Sequence, residues 1–315
     1  MTGRFASLIP LLLCVQATFA EPASLRINEI QFVGSHNSYK QAMPWLFGTI
    51  LSLTQPATAE SLDYWHPPIE EQLDLGLRIL ELDVFNDPDG GTFPVGHVQL
   101  IDMASSCSPL RACLKAVRVW SEAHPGHVPI WIMFNAKDDP IDWLPEPAPF
   151  DAEALARLDE VLQATWGDRM IQPSDVADRR WPVLDDSRGK VLFLLDESNH
   201  KRDLYDSGKP RPMFMNVDAD HPAAGVMVIN DPIAHQARIE RLVRDGFMVR
   251  TRSDADTREA RSGDTARRDA AFASGAQAVS TDYYLPASHF GTDFQVAPVL
   301  RCNPVLRPEP CEVQE

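Results

Sequence analysis

The chain has 315 residues, 29 of them Lys or Arg and 45 Asp or Glu, for a formal net charge of −16; 44% are hydrophobic and 23% charged. That composition excludes a disordered chain, a collagen-like repeat and a multi-span membrane protein. The acidic balance argues against a nucleic-acid partner and leaves no polybasic anchor for anionic lipid, so action on a phosphate-bearing substrate needs a focused cationic site or a bound metal.

Residues 1–20 read as a signal peptide. Arg4 supplies the positive start, Leu8 to Val15 an apolar stretch too short to span a bilayer, and Ala17-Thr18-Phe19-Ala20 a cleavage site before Glu21. The alternative is an uncleaved anchor or an ordinary N-terminal helix. A secreted or periplasmic protein with no transmembrane segment is expected. Cys14 lies inside the apolar stretch; beyond it stand Cys107, Cys113, Cys302 and Cys311. Pairing sequence neighbours, Cys107 with Cys113 and Cys302 with Cys311, closes two short loops and suits an oxidising compartment. A zinc site is the rival, unsupported by C-x2-C spacing or a histidine pair.

From Glu21 onward, short apolar runs alternate with helix-like stretches, the pattern of βα units. Strands are expected at Gln31–Ser35, Arg78–Phe85, Phe93–His97, Pro129–Asn135, Lys190–Asp196, Gly225–Asn230, Phe247–Arg252 and Gln277–Asp282. Ser108 as N-cap and Pro109 as first residue open a helix over Leu110–Ala123. Asp151 caps Ala152–Trp166, and further helices over Pro232–Arg244 and Thr265–Ser274 stop at glycines. These elements predict a distorted (β/α)8 TIM barrel as a single catalytic domain over residues 21–289. Residues 44–67 form a long excursion, and Asn86 to Gly91 is too short for a helix and reads as a hairpin. Residues 290–315 read as a disulfide-stapled extension.

Functional groups of such barrels lie at the carboxyl ends of the strands. The first expected strand ends in Ser35-His36-Asn37. In the second, period-two geometry puts Glu81 and Asp83 on one face and Leu80, Leu82 and Val84 on the other, so both carboxylates point into the mouth. Carboxylates that close repel unless a cation lies between them, and oxygen ligands select Ca2+ or, less readily, Mg2+. His97, closing the third strand, offers a partner to His36 for acid–base chemistry near neutral pH. Asn135 and Lys137 share parity at the next strand end, and Arg250 and Arg252 at the seventh. Lys137 and Arg252 suit phosphate, and Tyr283 a stack against a sugar-like ring; alternatively Lys137 lies in an exposed loop and Arg252 pairs with Asp282 or Asp254. The remaining histidines, His66 and His127 among them, carry no assigned role.

These residues resemble a known family. The segment 33–39 (VGSHNSY), the Glu81-x-Asp83 strand, the segment 120–127 (WSEAHPGH), and the block 249–257 (VRTRSDADT) continuing into 271–277 (AFASGAQ) are similar to the secreted bacterial Ca2+-dependent phosphatidylinositol-specific phospholipase C family. The resemblance spans Leu25 to Tyr284. It implies His36 and His97 as the catalytic histidines and Asn37, Glu81 and Asp83 as calcium ligands. The family has a glutamate at the next ligand position; this chain has Asn135, which keeps an oxygen donor but removes one negative charge. The implied chemistry is attack of the inositol 2-hydroxyl on its own phosphodiester. Glu81 or a histidine takes the proton, His36 stabilises the phosphorane, and His97 protonates the departing diacylglycerol.

Other phosphodiesters, such as glycerophosphodiesters or lysophospholipids, are alternatives on the same fold. A weakly active barrel that binds inositol phosphates or a lipid surface is another. The expected partner is a phospholipid at a membrane surface. Trp45, Leu46, Phe47, Leu51 and Leu53 in the first excursion either form an apolar rim for lipid or cover the bottom or side of the barrel, the latter being preferred.

Overall fold

The computed structural model describes residues 24–315 except 310 and 312; the stretch read as a signal peptide lies outside the described residues. Parallel strands with intervening helices close into an irregular (β/α) barrel. One sheet runs β10-β1-β9-β8-β7 and the other β2-β3-β5, with β4 and β6 both on the free edge of β5. The strands are β1 Ile30–Ser35, β2 Ile79–Val84, β3 Ile130–Ala136, β4 Met170–Ile171, β5 Val191–Leu195, β6 Phe214–Met215, β7 Val226–Val228, β8 Met248–Arg252, β9 Ala278–Thr281 and β10 Leu300–Cys302.

Seven of the expected strands form. The segment Phe93–His97 does not. It folds back on the end of β2 through a single antiparallel bridge, Val84 with Val95, because the turn over Asp87–Thr92 reverses the chain too sharply to reach a parallel position. The vacant eighth position is shared by β4 on the lower half of β5 and β6 on its upper half. Two-residue strands carry too little pattern to be read from sequence. Closure beyond β6 uses a side chain: Asn216 Oδ1 accepts from Val228 N–H at 3.1 Å.

The seam between β1 and β2 is held by Arg78 N–H donating to the Val33 carbonyl at 2.8 Å and Ser38 N–H to that of Glu81 at 2.9 Å. Gly34 makes this approach possible, since a Cβ there would lie 2.2 Å from the Cβ of Ile79. Below the mouth, Phe32, Ile79, Trp131, Met133, Leu192, Leu194, Val226, Met248 and Ala278 fill the barrel. Leu80, Leu82, Val84, Ile132, Phe134 and Phe193 face outward onto the helices.

Those helices include α1 Trp45–Thr54, α2 Pro56–Ser61, α3 Ile69–Asp74, α4 Leu110–Ala123 and α5 Ala152–Trp166. The helix α4 has the expected bounds but not the expected cap. Pro109 holds the N-cap position, and Ser108 Oγ instead accepts from Val95 N–H at 3.1 Å, tying the folded-back segment to the helix. Asp151 caps α5 as expected, accepting from Ala154 N–H. Both disulfides join the sequence neighbours, Cys107 with Cys113 and Cys302 with Cys311. The tail is more than a stapled appendage: its strand β10 pairs antiparallel with β1, and Glu315 ion-pairs with Arg78 at the bottom of the barrel.

The first excursion divides. Phe47 and Leu51 pack inward against Leu62 and Ile101, whereas Trp45 and Leu53 stand in solvent rather than covering the barrel. Among the described residues, no helix is long and apolar enough to cross a membrane.

Candidate active site

Along each long strand the inward-facing residues change from apolar to polar toward the carboxyl end. The series run Phe32-Gly34-His36, Ile79-Glu81-Asp83, Trp131-Met133-Asn135, Leu192-Leu194-Asp196, Met248-Arg250-Arg252 and Ala278-Ser280-Asp282. One cluster of ionisable groups therefore sits on the apolar fill of the barrel, where low polarity strengthens every charge interaction.

His36 lies at its centre. Its Nδ1–H donates to Asp282 Oδ1 at 2.9 Å, and Arg252 Nη1 donates to Nε2 at 3.2 Å, so the proton sits on Nδ1 and the lone pair on Nε2. Arg252 Nη2 also donates to Asp282 Oδ2 at 3.0 Å. Burial, and then the Arg252 charge, hold the His36 pKa well below its ordinary value, so the ring is neutral at pH 7. Beneath it, His66 Nε2–H donates to the His36 carbonyl at 2.9 Å. Burial brings the His66 pKa down to about 4.

His97 reaches the mouth from the folded-back segment. Its Nδ1–H donates to Asp102 Oδ2 at 3.3 Å, leaving Nε2 free, and the fully buried Lys40 ion-pairs with Asp102 at 3.2 Å. His97 is close enough to His36 for its charge to bear on the His36 pKa.

The carboxylates on β2 point inward, and cationic side chains meet them. Arg250 Nη2 donates to Glu81 Oε2 at 2.6 Å, Asn135 Nδ2 to Glu81 Oε1 at 3.1 Å, and Lys137 Nζ lies 3.2 Å from Asp83 Oδ2. The Arg250 pair is buried, which makes removal of either partner costly. Asn37, in left-handed backbone at φ 44°, donates through Nδ2 to the Tyr64 hydroxyl at 2.7 Å.

The fit to a hard cation rests on oxygen. The amide oxygens of Asn37 and Asn135 accept from no protein donor among the described residues, and Asp83 Oδ1 stands outside the Lys137 pair. Among those residues no three His, Cys, Asp or Glu are grouped to hold a metal by themselves, and the two amide oxygens are the side-chain donors that could join the two carboxylates. As all-oxygen donors they suit calcium in kind.

Tyr283 does not line the mouth. It is 4% exposed, with His289 stacked on its ring and Phe290 and Phe294 against its edges, so it presents no face to a sugar. The alternating pattern ends at Asp282, and the next residue turns outward. Arg252 has the Asp282 partner that the sequence allowed, and it also contacts His36. Sequence reasoning passed over Asp282 as a partner of His36, and it left Asp102, Lys40, His66, Tyr64 and Asp196 without roles. Asp196, its pKa pushed up to about 6 by burial, accepts from Asn216 Nδ2 at 2.9 Å beside the same cluster. Parity on β5 and β9 was the available signal for Asp196 and Asp282; nothing local marks His66, which arrives through the long excursion.

The fold is that of the phospholipase C-like TIM-barrel enzymes. A solved calcium-dependent phosphatidylinositol-specific phospholipase C from Streptomyces antibioticus superposes with a TM-score of 0.58 at 19% identity, over 88% of this chain and 99% of that one. A calcium-dependent phosphoinositol-specific phospholipase C from Pseudomonas sp., in a myo-inositol complex, gives 0.53 at 17% identity, over 84% and 93%. A phosphatidylinositol-specific phospholipase C from Listeria monocytogenes gives 0.53 at 13%, over 84% and 91%. No curated protein matches in sequence. The family model described as "Phosphoinositide phospholipase C, Ca2+-dependent" matches residues 25–95 and 92–310. The chain belongs to this calcium-dependent phospholipase C family and is a phosphoric diester hydrolase.

Proposed function

We propose that the protein is a secreted, calcium-dependent phosphodiesterase that cleaves phosphatidylinositol to diacylglycerol and inositol 1,2-cyclic phosphate. The carrying observation is the neutral His36, its Nε2 lone pair turned toward the mouth by Asp282 behind it. In this reading His36 takes the proton from the inositol 2-hydroxyl as that oxygen bonds to phosphorus. The phosphorus–oxygen bond to glycerol breaks, and His97 delivers a proton from Nε2 to the departing oxygen. In this reading His36 acts as base rather than phosphorane stabiliser once substrate phosphate draws Arg252 away from Nε2, while Glu81, the other candidate base, is assigned to calcium beside Arg250.

Lys137, beside Asp83, and Arg252, beside His36, hold the phosphate. Asp196, beside the same cluster, offers an acceptor to a ring hydroxyl. Asn37, Glu81, Asp83 and Asn135 would hold calcium through oxygen, and the ion would supply Lewis-acid polarisation of hydroxyl and phosphate. Secretion is supported by the signal-like residues 1–20 and by the two disulfides.

The test is phosphorus NMR of products from phosphatidylinositol vesicles, in calcium and in EGTA. Calcium-dependent release of the cyclic phosphate, abolished in His36→Ala, is expected. A folded protein that turns over no phosphatidylinositol would refute this substrate.

A further inference from the structure

The segment that carries His97 belongs to neither sheet. It meets β2 through the single bridge between Val84 and Val95, where a barrel strand in that position would have a full ladder. Its place therefore depends also on the start of α4. Leu110 N–H donates to the Phe93 carbonyl at 2.8 Å, and Val95 N–H donates to Ser108 Oγ at 3.1 Å. Ser108 and Leu110 both lie inside the loop that the Cys107–Cys113 bond closes, a loop with a sequence separation of only 6.

The other end of the segment runs into the same bond. Asp102, which accepts from His97 Nδ1–H, leads directly to Cys107, and on the way Ser106 N–H donates to the Tyr39 carbonyl at 2.8 Å. The two sulfurs differ in surroundings. Cys113 is fully buried, in one core with Leu110, Leu114 and Val117 of α4 and with Leu82 and Val84 of β2, whereas Cys107 is half-buried. The bond thus fastens the least regular part of the mouth to the outer core. The second disulfide, Cys302 with Cys311, starts from β10, in the sheet that does not contain β2.

We infer that the Cys107–Cys113 bond is a redox switch on His97: the proton donor is held in place while the bond is oxidised and lost from the site when a dithiol reduces it. The inference rests on the reading above, in which His97 protonates the departing oxygen. A thiolate of the reductant attacks the more accessible Cys107 sulfur, and Cys113 leaves as a thiolate that takes up a proton. The second thiol of the reductant then displaces Cys107 as a thiol, and the reductant departs as its own disulfide. Opening so short a cross-linked loop restores conformational freedom to residues 108–110, on which both Phe93 and Val95 hang. His36 and Asp282 come from β1 and from the end of β9, so the base end of the site is untouched. The phosphodiesterase is then competent where disulfides form and impaired where thiols prevail.

Two water-soluble inositol phosphodiesters separate this switch from general loosening. In the glycerol ester of inositol 1-phosphate the departing alkoxide must be protonated, whereas in the 4-nitrophenyl ester nitrophenolate leaves without a proton. Both are assayed in calcium before and after dithiothreitol, with freed thiols alkylated and assigned by mass spectrometry. Once Cys107 and Cys113 are reduced, kcat for the glycerol ester should fall about tenfold or more, part of the roughly 10²–10⁴-fold that a positioned acid contributes. The nitrophenyl ester should lose less than about twofold. Reoxidation should restore the first activity. Cys107→Ser with Cys113→Ser should behave as the reduced protein and ignore dithiothreitol. Cys302→Ser with Cys311→Ser should respond to it as the wild type does, and the alkylation pattern makes the same assignment in the wild type itself. Undiminished turnover of the glycerol ester with the bond reduced, or equal losses on the two esters, would overturn the inference. An oxidised, folded protein that hydrolyses neither ester would remove the catalytic reading, and the switch with it.

Discussion

Arg252 donates to Nε2 of His36 at 3.2 Å while its other nitrogen holds Asp282, the carboxylate that accepts from Nδ1 of the same ring. One guanidinium thus fixes the ring at both ends. It sets the tautomer, keeps the ring neutral, and stands where a phosphate oxygen would draw it from Nε2 and free the lone pair.

Asp282→Asn tests that arrangement. The amide keeps the shape but removes the charge behind Nδ1–H, and it can reverse the tautomer. We expect kcat to fall about a hundredfold or more with KM little changed, as for loss of acid–base function elsewhere. A loss under about threefold, with thermal stability intact, would reduce Asp282 to a packing role.

Asn135→Glu places a carboxylate at the proposed ligand position, where this chain has an amide. The added charge should lower the calcium concentration for half-maximal activity by roughly tenfold, since affinity at oxygen sites follows ligand charge. A calcium titration of hydrolysis measures it; an unchanged midpoint would remove Asn135 from the ligand set.

Lys40 and Asp102 are both fully buried, 3.2 Å apart. Lys40→Met leaves Asp102 charged and unpaired and should destabilise by about 3–5 kcal/mol in urea unfolding. Lys40→Met with Asp102→Asn should recover much of that stability, yet still lower activity, because His97 loses its anionic partner. Equal stability for single and double variants would contradict a coupled pair.

His127 shows how burial becomes pH dependence. It donates from Nδ1 to the Val128 carbonyl at 2.7 Å, and Nε2 lies 2.6 Å from Ser121 Oγ, while burial lowers its pKa from 6.5 to about 4. Between those values the unfolded chain binds a proton that the native state does not. Its stabilising contribution is complete above pH 6.5 and lost as pH falls toward 4, up to about 3 kcal/mol. Asp196 and Asp254, their pKa values pushed up to about 6 by burial, act in the opposite sense over an overlapping range. The measurement is therefore the difference in unfolding free energy between wild type and His127→Gln, which should shrink on acidification. A constant difference would show that His127 contributes packing alone.

The site was legible where alternation met a strand end. Glu81, Asp83, Asn135 and Lys137 could be placed at the mouth from parity alone, since a strand has only two faces and the apolar residues claim the outer one. The same rule reaches Asp196 and Asp282. It stops at Tyr283, where the strand has ended and parity no longer governs direction. His97 was expected on a strand and sits on a turn instead; its neighbour Asp102 takes part through a reversal of the chain that no period records. Lys40, His66 and Tyr64 come to the site through the excursion after β1, and only tertiary packing decides which of its polar residues turn inward. The split eighth strand is hidden for a related reason: Met170–Ile171 and Phe214–Met215 are too short to carry a period.

Strand β1, which delivers His36, has a further consequence for how the chain is made. Its partners on either side within the sheet are β9 and β10, with Phe32 opposite Ala278 and Ile30 opposite Cys302. A ribosome releases β1 long before either of them, so through most of translation β1 has only the seam to β2 to hold it and the barrel wall cannot close. Such delay favours aggregation in a crowded cell. It also keeps the polypeptide open for longer, so that closure of the barrel, and with it the joining of His36 to Asp282, comes only after β9 has been released.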